Sequence, residues 1–408
     1  MNIFIIPSWY PSQRNNLAGI FIKEQIVALG ETFPQDKFIV STWGQDDAEI
    51  PTRKPWELFS IISWRIRHSA EYYYHREDCH HEFFSPSISW SARLPLGGAM
   101  QTFSAHRQNL KAALKKFGHI DLLHCHVSYP AGFIGHKLSR EFGIPYLITE
   151  HMGPFPFSHL MKNGHPISKV TNAFREASAA IAVSPFLQSE IKRLGCGETV
   201  VIPNLVNESV FFPTFQPRTQ PEDFIFFSLS TQSVNKGIDT LLYAIKEWRE
   251  KPKNVLFFIG GDGPELPTYI ALASKLGIQD SIQWLGKVPR TEAPTLFNKC
   301  DAFVLPSRYE TFGVVFAEAL ACGKPIIATQ CGGPEFIVND SNGLIVPIDH
   351  PKILATAKQK IYCTRSQYST QLIRQDFLKR FSRSAVTQQI HKVYEDILGN
   401  HSFLPQQS

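Results

Sequence analysis

SRYETFGVVFAEALACGKPIIATQCGGPEFI, from Ser307 to Ile337, reads as turn, helix, strand and turn. Pro306 and Ser307 close an apolar strand, Gly313 opens a helix, Gly323 sits where a C-cap glycine belongs, and Pro325 to Thr329 is an uncharged run of buried-strand type. One charge interrupts the helix. The i±3 and i±4 neighbours of Glu318 are Val314, Val315, Ala321 and Cys322, all apolar. A helix that is apolar on every side is a buried helix. A carboxylate facing that interior costs several kcal/mol unless it is paired, since even a neutral polar group costs roughly 2–7 kcal/mol there. Glu318 therefore predicts a partner, either a ligand hydroxyl or a buried Arg or amide.

Glu310 lies eight residues before Glu318, ahead of the helix. Eight helical residues rise ~12 Å, so the two carboxylates bracket the helix N-terminus instead of meeting as a catalytic pair. The free amides around Phe312, Gly313 and Val314 make that N-terminus an anion site. Carboxylate, anion-binding amides, carboxylate is the layout of sugar, pyrophosphate and ribose, with each carboxylate accepting from hydroxyls. The alternative for the pair is a solvated loop residue and a carboxylate satisfied within the protein.

PSRYETFGVVFAEALACGKPIIAT followed by GGPE resembles the signature of the retaining glycosyltransferases of family 4. Similar landmarks recur in order along nearly the whole chain. The resemblance implies an α/β protein of GT-B fold: two Rossmann-like parallel-sheet domains facing across a cleft. It implies an acceptor domain at residues 1–205, a nucleotide-sugar domain at 206–376, and terminal helices at 377–408 crossing back onto the first domain.

At 408 residues the chain has ample core for two or three domains. Hydrophobic content of 43% and charged content of 19% are those of a globular protein. A net charge of +5 is mild for this length; it argues against a dedicated nucleic-acid binder and still favours phosphorylated substrates or an anionic membrane surface. Apolar runs are of strand length, which predicts no transmembrane span, and MNIFIIPSWYPS reads as a first strand, not a signal peptide. Seven cysteines without a CxxC pair fit a reducing cytoplasm, with the thiols as packing residues.

Asn2 to Pro7 reads as the first strand and Gly19 to Leu29 as an amphipathic helix behind the polar loop Ser12 to Leu17. In the family the loop ending at a glycine such as Gly19 lies close to the donor phosphates and the acceptor; as a bare sequence it is a turn before a helix. Lys37 to Trp43 is a second strand. Arg53 to Leu96 is the least regular part, and its segment to Arg76 mixes Trp56, Trp64, Tyr72, Tyr73 and Tyr74 with Arg53, Lys54, Arg65 and Arg67. It reads either as a contact for a membrane surface or lipid-linked acceptor, or as one more core helix. From Gln101 onward strands alternate with helices, which means a parallel sheet covered on both faces, with ligands at the carboxyl ends of its strands. VIPNLVNESVFFP resembles the family's hinge, and a second α/β run starts at Asp223.

His151 directly follows the strand PYLITE; the matching family position contacts the donor sugar near the scissile bond. His124 and His126 flank Cys125 on one face of a strand and are the basis of a rival reading as a metal-dependent hydrolase, although no further His/Asp set of metal spacing accompanies them. Lys236, before Gly237, sits where an ammonium can neutralise a leaving diphosphate. Many family members carry an Arg five residues earlier, where this chain has Thr231, which leaves the clamp weaker or completed by another base such as Arg308. GGDGPE, Gly260 to Glu265, resembles a family turn near the nucleotide. Neither a P-loop nor a DxD triplet occurs, so metal-free neutralisation by Lys236 and the helix amides is expected.

The reading is a retaining transferase that needs no metal and moves a sugar from a nucleotide-sugar donor to a lipid-linked or saccharide acceptor in cell-surface polysaccharide or glycolipid synthesis, in the cytoplasm or at the inner membrane face. Glu318 would hold the ribose, Glu310 the sugar hydroxyls, Lys236 the diphosphate and His151 the sugar near the reaction centre. A nucleotide-sugar binder without turnover remains the other alternative.

Overall fold

The computed structural model describes residues 1–12, 17–43, 59, 73–77, 79–85, 87, 99–216, 222–248 and 252–401. The chain divides into two compact units. One comprises Met1–Val183, Leu187–Ile202 and Val386–Ser408, the other Ser184–Phe186 and Pro203–Ala385.

The first unit is built on an eight-stranded sheet. Its strands are β1 (Asn2–Pro7), β2 (Lys37–Thr42), β3 (Tyr73–Glu77), β4 (His80–Phe84), β5 (Leu122–His126), β6 (Tyr146–Glu150), β9 (Ala179–Ala182) and β10 (Val200–Val201); β7 (Met161–Lys162) and β8 (His165–Pro166) form a separate two-stranded ribbon. The order is β10-β9-β6-β5-β1-β2-β4-β3, parallel except for the final antiparallel pair. β1, β5 and β6 are buried at every position, as strands covered on both faces must be. The helices Ile20–Thr32, Ala99–Phe117 and Phe133–Phe142 are among those of this unit.

Within the stretch read as a membrane contact or a core helix, Tyr73–Glu77 and His80–Phe84 form an edge hairpin, which corrects the helix alternative there. Arg53, Lys54, Trp56, Trp64, Arg65, Arg67 and Tyr72 lie outside the described residues.

The second unit carries a six-stranded parallel sheet of β11 (Phe224–Leu229), β12 (Val255–Gly260), β13 (Ile282–Gly286), β14 (Ala302–Leu305), β15 (Ile326–Thr329) and β16 (Gly343–Val346), ordered β13-β12-β11-β14-β15-β16. In each sheet the unit's first strand lies inside, with the next strands to one side and the later ones to the other. This places a topological switch point between β1 and β5, and another between β11 and β14, where open α/β sheets bind ligands.

The terminal helical region begins earlier than expected. Ser369 accepts a hydrogen bond from Leu372 N at 3.3 Å and caps the helix Thr370–Phe381, which belongs to the second unit. The last helix, Arg383–His401, packs on the first unit beyond Val386: Tyr394 bonds His124 and His391 bonds Asp36 at 2.9 Å. Five cysteines are buried and all seven are free thiols; Cys363 is exposed.

Candidate functional site

The switch point of the second unit is formed by the turns that follow β11 and β14. After β11 a single 3-10 turn, Val234–Lys236, presents Lys236, and Arg308 N bonds Asn235 O at 2.7 Å to tie this turn to the one after β14. Lys236 Nζ donates to Glu310 Oε1 at 2.7 Å, and Ser307 Oγ donates to the same oxygen at 2.8 Å. The backbone of Glu310 is held from both directions, its N–H on Cys331 O (3.2 Å) and its carbonyl by Gly333 N (2.8 Å). Two groups 74 residues apart thus form one partly exposed ion pair, with Lys236 25% and Glu310 11% accessible.

Glu310 leads into the helix Val314–Ala321. Gly313 starts it at φ +86°, and a Cβ there would lie 2.6 Å from the Phe316 ring, so only glycine fits. No side chain caps this N-terminus and no acidic residue occupies its first turn, which leaves its amides open to an anion. Phe312 turns its ring into the core against Phe381, 5.7 Å between centroids.

Glu318 is 2% exposed and is paired with Arg290, which follows β13. Arg290 lies over the Phe211 ring at 4.7 Å. The partner that Glu318 required exists within the protein, yet Glu318 Oε2 remains buried without a hydrogen bond. Such an orphan acceptor is what a ligand hydroxyl would satisfy. Arg290 has no motif of its own; the one signal for it is an Arg just past a strand end, in KVPR.

Arg308 is engaged by two carboxylates. Its guanidinium donates to Asp349 Oδ1 (2.9 Å), Asp239 Oδ2 (2.7 Å) and Val234 O. The Asp239 and Asp349 carboxylates push its pKa up, and Arg308 in turn lowers that of Asp349. Arg308 braces the Lys236 turn through Val234 O, and Thr231, five residues before Lys236, is exposed. The GGDGPE turn packs under the same loop: Gln232 donates to Gly260 O at 2.9 Å, and Glu265 N bonds Gln232 O at 3.1 Å.

In the first unit histidines gather at the carboxyl ends of two strands, His124 and His126 within β5 and His151 just after β6. His126 Nδ1 and His151 Nε2 are 3.1 Å apart, and the rings of His124 and His126 stack at 4.2 Å. His124 engages both ring nitrogens, Nδ1 with Tyr394 Oη at 2.7 Å and Nε2 with Thr149 Oγ1 at 2.8 Å. Burial pushes the His124 pKa down to about 3 and holds His126 well below the usual range. With neither nitrogen of His124 open to a metal, the hydrolase reading loses its first ligand. His151 packs on Phe21 at 4.9 Å. Gly19 has φ +64°, and a Cβ there would lie 2.2 Å from Trp9 O, so the close approach at this glycine is made by the protein's own chain. Glu150 sits fully buried among the N–H groups of Ser128, His151 and Met152, each 2.9 Å away.

Residues 68–210 match the model described as Glycosyltransferase Family 4, and residues 212–372 match Glycosyl transferases group 1. Together they span about three quarters of the chain. The protein is a family-4 glycosyltransferase.

An uncharacterized glycosyltransferase of Methanocaldococcus jannaschii is 29% identical over 290 residues, 68% of this transferase and 76% of the relative. A putative teichuronic acid biosynthesis glycosyltransferase of Bacillus subtilis is 29% identical over 273 residues, 64% and 67% of the two chains. Among solved structures, Anabaena HepE in complex with UDP and glucose superposes with TM-score 0.66 at 18% identity, covering 97% of this transferase and 100% of that chain. The fold is GT-B, and the transferase is an enzyme, so the binder without turnover falls away. Lys236, Arg308, Glu310, Phe312, Gly313, Val314 and Glu318 lie within the group 1 match, and His151 within the family 4 match.

Proposed function

We propose that the enzyme is a retaining, metal-independent transferase that takes a sugar from a nucleotide diphosphate sugar and passes it to a hydroxyl of a saccharide or lipid-linked acceptor in polysaccharide or glycolipid synthesis. The observation that carries this reading is the Lys236–Glu310 pair at the mouth of an uncapped helix, with the orphan Glu318 Oε2 farther along that helix. Without donor, Lys236 and Glu310 neutralise each other. A diphosphate entering at the helix amides draws the Lys236 ammonium to itself, and Glu310 is then free to accept from the hydroxyls of the sugar. Glu318 Oε2 takes a ribose hydroxyl while Arg290 holds Oε1. The acceptor hydroxyl attacks on the face the diphosphate leaves, with the leaving phosphate as base, so the mechanism requires no pair of enzymic carboxylates. His151 contacts the sugar near the reaction centre.

A uridine nucleotide is the first donor to try, because a structurally similar protein is in complex with UDP and glucose. The teichuronic acid relative supports a polysaccharide acceptor. No helix among the described residues is long and apolar enough to cross a membrane, which accords with action in the cytoplasm or at its membrane face. The test is nucleotide release from UDP-, GDP- and ADP-sugars in EDTA, with lipid extract or oligosaccharide as acceptor, followed by the anomeric configuration of the product. Acceptor-dependent release with retained configuration is expected. An inverted product, or release only when a divalent metal is restored, overturns the mechanism.

A further inference from the structure

The edge hairpin of the first unit carries a cluster that the transfer reaction does not use. Glu77 pairs directly with His80 across β3 and β4, and Glu82 follows His80 by two residues, so all three side chains leave the same face of the hairpin. Tyr10, in the segment after β1, closes over that face.

Distances converge on one atom. His80 Nε2 lies 3.1 Å from Glu82 Oε1, 3.5 Å from Glu77 Oε2 and 3.4 Å from Tyr10 Oη, and Tyr10 Oη is 2.8 Å from Glu82 Oε1. The His80 ring is fully buried. A single imidazole nitrogen offers one hydrogen or one lone pair, so it cannot satisfy three oxygens. Ligands placed at ~2.0–2.2 Å around a tetrahedral zinc ion lie roughly 3.3–3.5 Å from one another. Glu77 Oε2 and Tyr10 Oη have that spacing from His80 Nε2, and the shorter contacts of Glu82 Oε1 are hydrogen bonds that an entering ion would replace. Lys23 takes the other oxygen of Glu77, Oε1, at 3.0 Å and leaves Oε2 turned to the cluster. Two carboxylates against one ammonium leave a negative balance that a dication reverses.

We propose that Glu77, His80 and Glu82 bind a divalent cation of zinc type, with Tyr10 or water in the fourth position. One imidazole and carboxylate oxygens suit a borderline metal better than Mg²⁺ or Ca²⁺. The ion ties the hairpin to the segment that holds Trp9, whose carbonyl meets Gly19, and so fixes the loop beyond β1. Its role is positional, and the transfer chemistry of the second unit does not depend on it.

The full chain, stripped with EDTA and desalted, is titrated with Zn²⁺ against a chromophoric chelator and separately with Co²⁺. One equivalent of zinc and the intense visible bands of four-coordinate cobalt are expected. Glu82→Gln and His80→Asn should abolish both signals. Glu77→Gln, altered at a side chain 36% accessible and so the variant surest to fold, should weaken zinc at least tenfold. Failure of the wild type to bind an equivalent overturns the proposal, as does an equivalent retained unchanged in Glu77→Gln or in folded His80→Asn.

Discussion

At the carboxyl ends of β11 and β14 the second unit gathers ions: Lys236 on Glu310, Arg290 on Glu318, Arg308 between Asp239 and Asp349. At the corresponding place in the first unit, the carboxyl ends of β5 and β6, the side chains are stacked histidines, and burial lowers the pKa of His124 and His126. The six strands around each switch point follow the same order and the chemistry is opposite. Topology specifies where a ligand goes; the charge placed there specifies which part of it. A diphosphate needs fixed cations and open amides, which the second unit has. A sugar hydroxyl or an acceptor needs neutral groups that hydrogen-bond without attracting ions.

The largest expected effect tests the charged half. Lys236→Ala leaves Glu310 with Ser307 alone, and turnover should fall about 10²–10³-fold, the loss typical of removing one preorganised group from developing charge. Steady-state kinetics with a matched circular-dichroism spectrum checks it. A change below tenfold would remove Lys236 from the leaving-group role and make the pair with Glu310 a structural tie.

Next come the two carboxylates. Glu318→Gln should weaken free nucleotide by about 10–100-fold, because a hydrogen bond to a charged group contributes ~1.5–3 kcal/mol. Glu310→Gln should leave nucleotide affinity nearly intact and lower turnover. Calorimetry with nucleoside diphosphate separates the two, and equal losses of affinity in both variants would refute the division of sugar from ribose.

The neutral half predicts acid sensitivity. Burial lowers the pKa of His106, bonded to Ser41 Oγ at 2.8 Å, to about 3, and that of His124 likewise. Each has a folded value below the unfolded one of about 6.5. Between those values the unfolded chain binds more protons, so stability is full above pH 6.5 and falls as pH drops toward 3. His106→Asn should reduce the slope of stability against pH in that window by about one proton, ~1.4 kcal/mol per pH unit. Urea titrations at pH 4, 5, 6 and 7 measure it. A slope unchanged by the substitution would show that His106 is protonated in the fold.

Much of this was legible in the sequence because it is local. Asn2–Pro7 reads as a strand from its run Ile3–Pro7, and the structure gives β1 those bounds; Val255–Gly260 is a continuous uncharged run and is β12. Glu318 announced its need for a partner through four apolar neighbours. Arg290 did not announce itself as that partner, since the two are 28 residues apart and meet only when β13 and the helix after β14 are assembled. The Lys236–Glu310 pair and the capture of Arg308 by Asp349 are of the same kind: which carboxylate an arginine finds is decided by tertiary packing and leaves no trace in local spacing. The edge hairpin was missed for another reason. Its aromatic and basic residues fit a membrane-surface contact or a core helix as well as a strand, and the turn between β3 and β4 carries no Asn-Gly or Gly-Gly signal.

The smallest effect concerns the one departure from the family pattern. Thr231 is exposed where many relatives carry Arg, and in the absence of donor Arg308 is bonded to Asp239 and Asp349. Thr231→Arg adds a guanidinium five residues before Lys236, at a solvated position where an ion pair contributes up to about 1 kcal/mol. Nucleoside diphosphate should bind up to about fivefold more tightly, and nucleoside should not change. The gain should shrink as salt rises from 50 to 500 mM, because an exposed pair is screened. Equal tightening of diphosphate and nucleoside would mean that the new side chain packs on the base or ribose. No tightening at low salt would mean that Lys236 and the amides at Gly313 and Val314 already satisfy the diphosphate, so that the charge contrast between the two units is complete without a second base.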